Sequence, residues 1–85
     1  MKESMKTLNL MIDRLTWEIE DAERDIEVYK ESLKTAVENY EWWRADDVMA
    51  DAERLKKATE QFVASQREKA KLEALKEQIV KEQEA

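Results

Sequence analysis

Carboxylates are the most abundant chemistry-bearing groups in this chain: 21 Asp and Glu stand against 15 Lys and Arg, with no His and no Cys. Acids spaced four apart recur, Glu27 with Glu31 among them. Such pairs divide general acid and base work in some enzymes, but here nothing supports them. The commonest general base, the thiolate nucleophile and the usual zinc ligands are all missing. A di-metal carboxylate bundle draws on Glu-x-x-His motifs, and phosphate-cradling loops draw on glycine, which the chain lacks. The acid pairs therefore read as solvated helix surface. The expectation is a protein that is not an enzyme and holds no cofactor and no metal.

Recognition is the other chemistry on offer, and large apolar side chains carry it. Leu10 and Trp17 lie seven apart, opposite the apolar stripe described below, where polar residues belong. A Trp in that place is a typical interface anchor, since leaving it in water is costly. Its competing use is to lie along its own helix over Arg14 and Arg24. Tyr40, Trp42 and Trp43 form a second group near mid-chain. Trp43 continues the stripe, so the group either plugs the end of the fold or, with Tyr40 and Trp42 exposed, makes a second binding surface.

The element that positions these residues is written in a spacing of four and three. From Met1 the apolar series runs Met5, Leu8, Ile12, Leu15, Ile19, Ala22, Ile26, Tyr29, Leu33, Ala36, Tyr40, Trp43. This keeps one narrow stripe on one side of a helix, and a lone helix cannot bury it. Gly and Pro are both absent and 42% of residues are charged, a composition of long helix or coiled coil. At 85 residues the chain makes one domain, residues 1–85, with a thin core and no disulfide to staple it. No apolar run is long enough to span a membrane, and the charged start does not resemble a signal peptide. A cytoplasmic location follows as the default. A net charge of −6 without a block of Lys or Arg argues against direct nucleic-acid binding and suits a basic protein surface.

Two architectures fit the stripe. One is a continuous helix about 128 Å long, paired in parallel with a copy, as Ile at a and Leu at d favour. The other is an antiparallel hairpin: helix 1 over 3–38, a turn over 39–41, helix 2 over 42–82. Asn39 favours the left-handed conformation that ends helices, while Glu41, Asp46 and Asp47 suit the start of the next one. Folding there pairs Ala36 with Ala45, Leu33 with Val48, Tyr29 with Ala52, Ile26 with Leu55, Ile19 with Phe62, Leu8 with Leu72 and Met1 with Ile79. It also lays the acids of 18–27 along Arg54, Lys56 and Lys57, and Lys30 and Lys34 beside Asp46, Asp47 and Asp51. Beyond Phe62 the second stripe weakens to Ser65 or Gln66 and then Lys69. A second copy is expected to cover it, giving a dimer of hairpins in a four-helix bundle.

The stretch Ala36–Val48 resembles the turn of the UVR helical hairpin, the interaction motif of the Uvr excision-repair proteins. Small Ala36 before the turn, Glu38-Asn39, acidic Glu41, aromatic Trp42 and Ala45 correspond; Val48-Met49-Ala50 departs from that motif's Leu-Arg-Asp. The likeness implies a turn, not a repair function. In overall style the chain resembles the short, Cys-free, all-helical accessory proteins of phages and prophages. That resemblance implies a module that binds a host protein and inhibits or redirects it by steric blocking; the positions of Leu10, Trp17, Tyr40 and Trp42 make them the expected contact residues. Two other readings stand beside it: a coiled-coil scaffolding protein, and an oligomeric sponge for a nucleotide-like molecule using Trp17, Tyr40 and Arg44.

Overall fold

With neither Gly nor Pro to interrupt it, helix runs until a specific set of hydrogen bonds ends it. The computed structural model describes residues 2–84. Helix α1 spans Lys2–Glu38, a short 3-10 turn covers Trp42–Arg44, and α2 spans Ala45–Glu84. The two helices pack antiparallel as a hairpin, in a body whose Cα atoms extend 65 × 14 × 14 Å. A single continuous helix would be about twice that length. The parallel-rod alternative is therefore excluded. Met1, the expected partner of Ile79, lies outside the described residues.

The turn forms without the left-handed residue expected at Asn39. No described residue has a positive φ. Instead the Asn39 backbone N–H and its Nδ2 both donate to the Thr35 carbonyl, each at 3.0 Å. The backbone bond is the last i to i−4 bond of α1, and the side-chain amide adds a second donor to the same carbonyl. The Tyr40 N–H donates to the Val37 carbonyl at 3.2 Å, and Glu41 then extends at φ −127°, ψ 146°. The chain turns back through the Arg44 N–H bond to the Glu41 carbonyl at 2.8 Å. Asp46 and Asp47 stand in the first turn of α2, where the helix dipole favours negative charge.

Every stripe residue of α1 from Met5 to Ala36 is buried or half-buried. The facing row on α2 is Ala45, Val48, Asp51, Leu55, Ala58, Phe62, Ser65, Lys69, Leu72, Lys76 and Ile79, again spaced three and four. Two expectations fail here. Tyr29 was to face Ala52, but Ala52 is exposed and Asp51 takes the inward position. Ser32 Oγ donates to Asp51 Oδ2 at 3.0 Å, and Arg54 Nη1 donates to Asp51 Oδ1 at 3.2 Å, so the inward carboxylate is satisfied. Tyr40 and Trp43 leave the stripe and are exposed, because α1 stops at Glu38 and its periodicity stops with it.

Ser65 rather than Gln66 points inward, at 3% exposure, and accepts a hydrogen bond from Gln61 Nε2 at 3.0 Å. The buried apolar residues among those described are Leu8, Ala22 and Ala58, and none of them is completely sealed from solvent. The core is a single seam.

The expected ion pairs between the helices do not form. All five ion pairs among the described residues are local: Arg14–Glu18, Arg24–Asp21, Arg44–Asp47, Arg54–Asp51 and Lys69–Glu73. Partners three or four apart on one helix are already neighbours, whereas reaching across the seam would order two long side chains for little gain.

Candidate protein-binding surfaces

The outer face of α1 carries the first surface. Leu10 and Trp17 are 60% and 66% exposed, on the side away from the seam. Seven residues of helix separate them by about 10 Å along the axis. Trp17 does not lie under its arginine neighbours' ion pairs in the expected way: Arg14 Nε pairs with Glu18 Oε1 at 3.5 Å and Arg24 Nη1 with Asp21 Oδ1 at 3.8 Å, and the indole stays in solvent. Val28, also exposed, follows Leu10 by 18 residues, five full turns, and so points the same way. Sequence reasoning passed over Val28 because a lone surface Val carries no signal until its angle is compared with that of Leu10.

The hairpin tip is the second. Tyr40, Trp42 and Trp43 are all exposed, Trp42 most of all at 77%. The two indoles meet edge to face, with ring centroids 5.6 Å apart and planes at 83°. They contact each other instead of plugging the end of the seam. Exposed Val37 and Met49 flank the same turn in sequence. Met49 was missed as a surface residue, since position 49 matters only once α2 begins at Ala45. The charged residues around the tip, Glu38, Glu41, Asp46 and Asp47 against Arg44, are predominantly acidic.

These surfaces are separate. About 32 Å of α1 divides Trp17 from the turn. The residues suggested for a nucleotide-like ligand are therefore not brought together within one chain. Beside the tip an open groove of about 530 Å³ runs between the helices, lined by Ser32, Thr35, Arg44, Asp47, Asp51 and Arg54 among others. Arg44 and Arg54 are each engaged with an Asp there, which leaves the groove without an uncommitted cationic clamp. Among the described residues no group of three or more acids converges as a metal site, and no helix is long and apolar enough to cross a membrane.

No family model, curated protein or solved structure matches the chain.

Proposed function

We propose that the hairpin is a protein-binding module that docks through the outer face of α1 and blocks or redirects its partner sterically, in the manner of a phage or prophage accessory protein acting on a host factor. The carrying observation is Trp17, two-thirds exposed beside Leu10 on a helix whose stripe from Met5 to Ala36 is otherwise turned inward. A large aromatic held rigidly by a helix loses little side-chain freedom when it enters a pocket, which is why Trp is enriched among interface hot spots. The acids near it, Asp13, Glu20 and Asp21, favour a partner with basic surface. Tyr40 and Trp42 at the tip form a second contact. The same reading assigns the protein to the cytoplasm and to a non-enzymatic role.

The test is affinity capture from the host cell followed by titration of the captured protein. Trp17→Ala is expected to leave helicity unchanged and to weaken binding by about 2 kcal/mol, roughly thirtyfold. Equal affinity of the variant and the parent chain would overturn the assignment.

A further inference from the structure

Exposed apolar surface is concentrated at the hairpin tip. Val37, Tyr40, Trp42, Trp43 and Met49 are five of the twelve exposed large apolar residues among those described. All five fall between the last turn of α1 and the second turn of α2, which has risen only about 6 Å when it reaches Met49. Such a cluster marks a contact surface, whereas single apolar residues scattered over a protein do not.

Charge narrows what can cover it. Residues 37–49 hold four carboxylates, Glu38, Glu41, Asp46 and Asp47, against one cation, Arg44. Arg44 is engaged with Asp47 at 3.9 Å. Glu41 makes no side-chain capping bond, and among the described residues Glu38, Glu41 and Asp46 belong to no ion pair. This excess of negative charge repels nucleic-acid phosphate, an anionic lipid surface and a second copy of the same tip. It attracts a cation.

The aromatic pair supplies the rest of a cation site. The Trp42 and Trp43 rings lie 5.6 Å apart with their planes at 83°, and both are mostly in solvent. Rings so placed form a corner with a π-face on each wall. Indole is the best π partner for a cation, and arginine takes that place more often than lysine. Its flat guanidinium stacks on an aromatic face while its N–H fork stays free for carboxylates.

We infer that the tip is a receptor for an arginine side chain in a basic segment of the partner protein. The guanidinium stacks in the Trp42–Trp43 corner and donates to the surrounding carboxylates. This rests on the reading of the hairpin as a protein-binding module, and names what its second contact recognises.

A peptide titration provides the experiment. In a full-length Trp17→Phe background, Trp42 and Trp43 are the only tryptophans left to report. A short capped peptide of alternating glycine and arginine, at physiological salt, is expected to change their fluorescence saturably. Trp42→Ala and E41Q/D46N should each weaken this binding at least about fivefold. E20Q/E23Q should leave it unchanged, because those carboxylates lie more than 20 Å along α1 from the turn, beyond the roughly 8 Å screening length. Citrulline in place of arginine, similar in shape but neutral, should abolish it. If Trp42→Ala loses helicity by circular dichroism, Trp42→Leu decides instead: weaker binding supports the site and equal binding overturns it. Absence of saturable binding, a citrulline or lysine peptide that binds as tightly, or a response to phosphatidylcholine vesicles in place of the peptide overturns the assignment. The Trp17 contact is judged separately, by titration of the captured protein.

Discussion

Ser32 on α1 and Asp51 on α2 are joined across the hairpin by a 3.0 Å hydrogen bond, Ser32 Oγ donating to Asp51 Oδ2. The carboxylate sits in a row that is otherwise mostly apolar, at 9% residue exposure, with Arg54 on its other oxygen. A charge so placed is costly unless its lone pairs are satisfied. The pair also opposes slippage. Moving α1 by one heptad would bring Asp25 or Asn39 to the place of Ser32. Asp25 would set a second carboxylate against Asp51, and Asn39 lies beyond the end of α1. The bond thus does for register what a polar a-position residue does in other coiled coils.

A double-mutant cycle measures this coupling. In urea denaturation, Ser32→Ala and Asp51→Ala together should cost less than the sum of the two single changes by about 1 kcal/mol, the scale of a hydrogen bond between an exposed hydroxyl and a charged acceptor that Arg54 also satisfies. Strict additivity would show that the contact contributes nothing.

Lys69 occupies an inward position that a coiled coil would fill with an apolar residue, and it pairs only with Glu73 of its own helix, at 3.9 Å. Lys69→Leu should raise stability by about 1 kcal/mol through added apolar burial. The readout is a higher urea midpoint with an unchanged slope. A lower midpoint would mean that the lysine holds the seam together.

Asn39 ends α1 through its side chain rather than through a left-handed backbone. Glycine, usually the best residue after a helix, should therefore destabilise here. Asn39→Gly removes the amide bond to Thr35 and loosens the unfolded chain, costing about 1 kcal/mol in all. A gain in thermal midpoint would restore the left-handed cap.

Trp42 and Trp43 touch each other and solvent more than they touch the seam. Trp42→Ala should lower stability by no more than about 1 kcal/mol, the worth of an edge-to-face aromatic contact. Iodide should quench all three tryptophans efficiently in the free chain, since Trp17 is exposed as well. A protected tryptophan population at low protein concentration would place one of the indoles in the core.

The legible part of this fold is the part governed by period. The residues of α1 from Met5 to Ala36 turn inward as their spacing requires, and Leu10 and Trp17, half a turn away from the stripe, turn outward. Extrapolation failed where a local interaction took precedence. The heptad was carried through Tyr40 and Trp43, but the helix had already ended, the Tyr40 N–H turning to the Val37 carbonyl and Glu41 extending. Ala52 was preferred to Asp51 as an inward residue because Ala is apolar, and no pattern in α2 alone announces that Ser32 and Arg54 will satisfy the acid. The interhelical ion pairs were read from opposite signs at matching heights. Neighbours in sequence captured Arg54, Asp51 and Asp47 first.

The short connection between α1 and α2 also dictates the order in which the chain can assemble. Ser32 and Asp51 are 19 positions apart, whereas Leu8 and Leu72 at the far end are separated by more than three times as many. Since closing a loop costs more entropy as it lengthens, contacts beside the turn form first and each one shortens the closure needed for the next. The hairpin therefore zips from Asn39 outward and opens from its termini. Amide exchange should slow steadily along both helices toward the turn side of the seam.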